Sequence, residues 1–154
     1  MSDEQFLTIP SIPGEVKDDR HPGSIEVLNW SWVVSHATSG GAGGGGRVGK
    51  AELSDIMLVL RFDSATPRLF DACARGKRFA EVLLSVRRNG MIGDYLTLRL
   101  ADAAVTSVST AHSGDDPVVH ISLGFASVTM TYQIQQPDGS LGDPISVTLG
   151  GQQA

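Results

Sequence analysis

A single cysteine, an aromatic content of 6% and a shortage of basic residues, 12 Lys and Arg against 17 Asp and Glu, are the first limits this 154-residue sequence sets. Each shortage closes a class of function. Cys73 has no partner for an internal disulfide, so the chain is expected to fold in a reducing cytoplasm. A formal net charge of −5 disfavours partners chosen by their phosphates, because that binding is driven by counterions released to clustered Lys and Arg. Nucleic acid is therefore not an expected partner. No apolar run approaches the roughly 20 residues of a membrane-spanning helix. The opening MSDEQFL places acids where a secretory signal has a basic segment and a long apolar run. Neither membrane insertion nor signal-peptide export is expected.

Catalytic and metal-binding patterns are equally scarce. His21, His36, His112 and His120 are scattered, without the spacing that places two ligands on one strand or helix. Asp115-Asp116 comes after Gly114 without the alternating carboxylates and closing glutamate of a calcium loop. No G-x-S-x-G elbow occurs among the many serines. The expectation is no enzyme, no cofactor and no metal.

What the sequence has instead is period-two alternation. Leu28, Trp30, Trp32 and Val34 alternate with Val27, Asn29, Ser31 and Val33, and Ile56, Leu58, Leu60 and Phe62 alternate with Met57, Val59 and Arg61. Trp30 and Trp32 read as interior or interface anchors. Val82, Leu84 and Val86 are succeeded by Leu96, Leu98 and Leu100, with Asn89-Gly90 as the turn of a hairpin. From Val119 to Ile134 the apolar set changes phase around Gly124 to Ser127, which predicts a bend in one long strand at a barrel corner. A short last strand, Ile145 to Leu149, comes after the Asp138-Gly139 turn. One helix interrupts the pattern, with Thr66 as N-cap, Pro67 in the first helical position and Gly76 just past the end. Leu69, Phe70 and Cys73 fall on its apolar face. Without a helix after each strand the sheet is expected to be antiparallel, in an all-β barrel or sandwich carrying one short helix.

The glycines concentrate in one place. SGGAGGGGRVGK, residues 39–50, contains the phosphate-loop spacing G-x-x-x-x-G-K from Gly44 to Lys50. That loop works by feeding into a helix whose first amides and dipole hold the phosphates, with a Ser or Thr after the lysine for magnesium. Here the next residue is Ala51, and AELSDIMLVLRF is strand-like. The segment 36–50 is better explained as an arm that orders against a partner, with Gly43, Gly44, Gly45 and Gly46 allowing close backbone approach and Arg47 and Lys50 offering charge. Apolar residues on both faces of Ile56 to Phe62 exceed what one small interior can hide, so a neighbouring copy is expected to cover the rest. Head-to-tail contacts whose rotation closes make a ring, and repetition along the axis makes a tube.

Several stretches, in order, resemble the haemolysin-coregulated protein family, the tube subunit of type VI secretion. They are Gly14-Glu15 with Lys17-Asp18 and His21, the strand from Ile25 through Trp30-Ser31-Trp32, and Thr66-Pro67, Ala72-Cys73 and Gly76-Lys77. VTSVSTAHSG and ISLGFASVTMTYQIQQPDGS extend the similarity, which spans about residues 6 to 140. The resemblance implies a mostly β, phage-tail-tube-like antiparallel barrel of two packed sheets with one short helix over residues 1–154, forming a homohexameric ring that stacks into a hollow tube. It also implies a contractile sheath and a spike as partners, secreted effectors in the lumen, and export through the apparatus after cytoplasmic assembly. The end departs from the family, since PISVTLGGQQA has no aromatic residue, and no appended toxin domain is expected after the tail 150–154. Two other assignments stay open at this point: a subunit of another contractile, phage-tail-like particle, and a monomeric ligand-binding β-sandwich.

Overall fold

Strands make up most of the chain, and one of them, far longer than the rest, decides how the sheet closes. The computed structural model describes residues 3–37, 51–112, 114 and 116–151. The strands are β1 (Glu4–Thr8), β2 (Ile25–Ser31), β3 (Val34–His36), β4 (Ala51–Leu53), β5 (Ile56–Arg61), β6 (Arg78–Arg87), β7 (Asp94–Ala111), β8 (Val118–Gly124), β9 (Ser127–Gln135) and β10 (Leu141–Gly150), and the helix α1 (Thr66–Arg75) lies between β5 and β6.

All the strand pairings are antiparallel, as the sequence predicts. The large sheet runs β10-β9-β7-β6-β1-β2-β5-β8, and a further pairing of β8 with the far half of β7 closes six of its strands into a barrel. The two layers foreseen from the sequence are opposite walls of this one closed sheet. One edge of β7 thus carries two neighbours in succession, β9 along Leu96–Ala101 and β8 along Ala104–Ala111. The chain turns between them at Phe125-Ala126, where the Ala126 amide bonds to the Ala101 and Asp102 carbonyls at 3.0 and 3.3 Å. Asp102 stands opposite at φ 53, a left-handed conformation that Asp tolerates better than most residues. The predicted phase change is this corner, but it separates two strands with different partners instead of bending one.

The barrel is filled mostly by the alternating residues of the sequence pattern, joined by Leu7 and Ile25. Leu7, Ile25, Ile56, Leu58, Leu60, Val82, Leu84, Leu98, Leu100, Ile121 and Leu123 are all at 2% exposure or less. On β2 the alternation breaks. Val27 faces Leu60 and Trp30 faces Leu58, so Leu28 is an extra residue, bulged outward and 38% exposed. Leu28 and Trp30 therefore do not share a face, although their spacing predicts it. Trp32 and Val34 do not continue β2 either, because the strand ends at Ser31 and Val34 belongs to the separate ribbon β3–β4.

The helix is also placed one residue differently. Ala65 is the N-cap without a side-chain bond, and Thr66 is already helical, with Pro67 behind it. The Thr66 hydroxyl accepts from the Asp63 amide at 3.1 Å, and the Asp63 carboxylate accepts from the Ala65 amide at 2.8 Å, so Asp63 organises the turn that enters the helix. Gly76 ends it as predicted, at φ 64, with the Gly76 and Lys77 amides closing on Cys73 and Ala72. The buried face is Thr66, Leu69 and Ala72 with half-buried Cys73, whereas Phe70 points to solvent at 40% exposure.

Candidate assembly surface

The sheet face that fills the barrel does not stop where the barrel closes. Cross-strand rows run straight through it: Leu7, Leu84, Leu98, Met130 and Val147 are successive partners across β1, β6, β7, β9 and β10. A second row is Val86, Leu96, Tyr132 and Ile145, and a third is Val82, Leu100, Val128 and Leu149. Residues directly opposite in an antiparallel pair share a face. Exposure therefore climbs along each row, from 0% at Leu98 to 50% at Val147, and from 1% at Val128 to 37% at Leu149. Ile145 is 60% exposed, Ile134 53% and Tyr132 39%.

The hairpin β9–β10 is thus a continuation of the core wall whose outer end, Ile145 and Val147, is left exposed among the described residues. Its other face is hydroxylic, with Thr129 paired to Thr148 and Thr131 to Ser146, each at 2.9 Å. Across both strands the only charged residue is Asp143. β10 is the terminal strand of the sheet and has β9 as its single neighbour. Natural edge strands usually carry charge, bulges or proline to deter pairing. Here Pro144 and the register shift between Leu141 and Pro144 guard only the start. The sequence predicts a short closing strand from Ile145; the strand begins at Leu141 and is 10 residues long. Tyr132 is fixed edge-on to Tyr95, with ring centroids 6.2 Å apart.

A second, unlike apolar patch lies on the outer wall of β2 and β5, where Leu28 and Met57, the latter 51% exposed, project from the barrel beside half-buried Val59. Apolar residues on both faces of β5 are what its alternation predicts.

The glycine arm springs from the ribbon β3–β4. His36 faces Ala51 across it, so the chain leaves and returns at one point. Its root is anchored by Trp32, whose indole N–H donates to the Ser54 carbonyl at 3.0 Å and whose ring meets Phe125 edge-on, while the Ser54 hydroxyl accepts from the Val33 amide. Gly43, Gly44, Gly45, Gly46, Arg47 and Lys50, the residues picked out as interface from the sequence, lie outside the described residues. Directly after Lys50 comes the strand Ala51–Leu53, in the place where a phosphate loop requires a helix.

Sequence reasoning misses a second specified cluster, between β1, β6, β7 and the irregular segment 9–24 that crosses their outer side. The aromatic ring of Phe6 stacks on His21 with centroids 4.1 Å apart and interplanar angle 7°, and the Arg87 guanidinium lies 5.1 Å from the same ring. Arg87 is 7% exposed and donates to Glu4 and to both oxygens of Asp18. His21 places one nitrogen 3.0 Å from Asp18 and the other 3.0 Å from Asp94. Arg87 first, and His21 second, hold the Asp18 carboxyl well below the usual carboxylate range, and the Arg87 guanidinium is raised mainly by its bond to Asp18. The segment is threaded tightly: a Cβ on Gly14 would stand 2.4 Å from the Ser24 carbonyl oxygen and 2.8 Å from the Ile25 side chain. Glu15 then ties it to the helix entrance, accepting from the Ser64 amide at 2.7 Å and donating its own amide to Asp63 at 3.2 Å. Gly14, Glu15, Asp18 and His21 are among the residues on which the family resemblance rests, and each has a structural task in this segment.

Among the described residues no group of three or more His, Cys, Asp or Glu could hold a metal ion. No described helix is long and apolar enough to cross a membrane.

A family model described as "Type VI secretion system effector, Hcp" matches residues 6–132. The chain is 37% identical over 144 residues to Protein hcp1 of Pseudomonas aeruginosa, covering 91% of this chain and 89% of that protein. Hcp1 from Salmonella typhimurium superposes with a TM-score of 0.82 at 30% identity, over 97% of this chain and 95% of that one. For a type VI secretion system effector from Yersinia pestis the TM-score is 0.78 at 29% identity, over 95% and 98%.

Proposed function

Since this chain belongs to the Hcp family of type VI secretion system proteins, we propose that it is the repeating unit of a secretion tube, closing in six copies into a ring whose stacked repeats form a hollow conduit. The observation that carries this reading is the unbroken row of apolar side chains from Leu7 to Val147, buried at one end and bare at the other. A copy of the same chain is the natural cover, because the exposed hairpin face and the β2–β5 wall are unlike surfaces on one molecule. Unlike surfaces meeting head to tail generate a closed ring when the rotation permits. The role is structural: effectors travel in the lumen, a contractile sheath surrounds the tube, a spike leads it, and the protein is secreted with its cargo.

The test is native mass. The subunit is 16.3 kDa, and the ring predicts a species of about six times that mass. Val147→Asp places a charge on the bare face and is expected to yield single subunits with unchanged circular dichroism. A wild type that stays at subunit mass at high concentration overturns the reading.

The arm at 36–50, with Gly43 to Gly46, Arg47 and Lys50, is assigned to contact between rings. Deleting Ser39 to Gly46 should leave single rings intact and abolish stacked tubes in electron micrographs. Stacking that survives the deletion removes the arm from this role.

A further inference from the structure

We propose that the segment joining β1 to β2 is latched onto the barrel wall by the charged form of His21, and that the latch slackens as the solution becomes alkaline. The reason is the number of protons on the ring. A neutral imidazole has one N–H, yet both ring nitrogens of His21 stand 3.0 Å from carboxylate oxygens, one on Asp18 of the segment and one on Asp94 of β7. Only the doubly protonated ring donates to both. Remove one proton and a nitrogen lone pair faces a carboxylate oxygen, so attraction becomes repulsion at one of the two joints.

The surroundings leave no substitute. The charged groups around the ring are Asp18 on the segment, Glu4 on β1, Arg87 on β6 and Asp94 on β7; Phe6 covers one ring face. Arg87 is already committed to Glu4 and Asp18. Two carboxylates, Glu4 and Asp18, share that guanidinium while Asp94 rests on the ring, and the second imidazole proton brings the cluster closer to balance. Asp94 is the weaker joint in this scheme: its Oδ2 rests on His21, and its Oδ1 is buried without a partner among the described residues. His21 itself is stacked on Phe6 with 8% of its side chain exposed, so solvent has little access to replace a lost bond. Histidine is the side chain suited to such a device.

Amide hydrogen exchange on the full chain, corrected for the intrinsic effect of pH, tests the latch at residues 14–24 against β6 as internal reference. Between about pH 6 and about pH 8.5 the segment's protection should fall by about tenfold relative to β6, the scale of one lost charged hydrogen bond. In Asp94→Asn the amide can donate to a neutral ring, so protection should stay high at both pH values. In His21→Gln it should be low at both. Should that variant not fold, nitrogen chemical shifts of the wild-type ring decide, since both nitrogens must be protonated at about pH 6. A singly protonated ring there, a segment whose protection tracks β6 throughout, or an Asp94→Asn protein retaining the wild-type pH response each overturns the proposal.

Discussion

Two halves of β7 present apolar residues to the same sheet face and hand that face on to neighbouring strands with opposite fates. Toward Ala111, β7 pairs with β8 and the face is sealed inside the barrel, where Val105 is 3% exposed; toward Asp94 it pairs with β9, and the face runs out to Val147 at 50%. The chemistry of the strands does not change at the corner. What changes is whether the sheet curls back on itself. Burying apolar surface contributes about 25 cal/mol per Å² wherever the cover comes from, so the barrel takes it from its own opposite wall, and in the proposed ring the hairpin would take it from another copy.

The largest effect should come from the sealed end of a row. Leu98→Ala empties the centre of the longest row and is expected to cost about 2–5 kcal/mol in urea unfolding. Its neighbours along that row toward the edge should not behave this way. Val147→Ala is expected to change the subunit's unfolding free energy by under about 0.5 kcal/mol while weakening the ring. If Val147→Ala destabilised the isolated subunit as much as Leu98→Ala does, the contrast would collapse, because the hairpin would then be covered within one chain.

The outer wall offers the same contrast in another form, since it is covered at β1, β6 and β7 by the segment 9–24 and bare at β10. Gly14→Ala forces a methyl group against the Ser24 carbonyl and should cost about 1–3 kcal/mol, close to the penalty for overpacking a core. Its exchange signature should be confined to the segment and the entrance of α1. Spread of the effect to β9 and β10 would mean that the covered and bare regions are one cooperative unit.

How much of this could be seen in the sequence depends on range. Ile56 to Leu60, Val82 to Val86 and Leu96 to Leu100 announce their strands by alternation, and Gly76, Asn89-Gly90 and Asp138-Gly139 announce their turns. β1 escapes because Phe6 and Leu7 are both buried, one under the crossing segment and one in the barrel, so no alternation exists to detect. The bulge at Leu28 puts a period-two count out of step. The cluster around His21 joins Glu4, Asp18, Arg87 and Asp94, whose bonded pairs lie up to 83 residues apart, and only the spacing of Asp18 and His21 is local. The bare hairpin did carry a local signal, two strands with one charge between them, but exposure is a property of the closure of β7 onto β8, which no single stretch encodes.

The smallest effect is expected at the acid end of the pH scale. Asp18 is held below the ordinary carboxylate range by Arg87 and then by His21. A carboxylate bound this way in the folded state adds stability that is in full force above its unfolded value, near pH 4, and is lost as the pH falls below it. Unfolding free energy should therefore decline below about pH 4 in the wild type, and the decline should be shallower in Asp18→Asn, whose amide has no charge to lose. The same substitution should leave the ring's mass unchanged at neutral pH, since Asp18 is on the covered wall and the apolar rows reach solvent only at β9 and β10. Dissociation of the ring in Asp18→Asn with the barrel still folded would show that the covered wall, too, takes part in holding the copies together, and would merge the two regions whose difference organises this molecule.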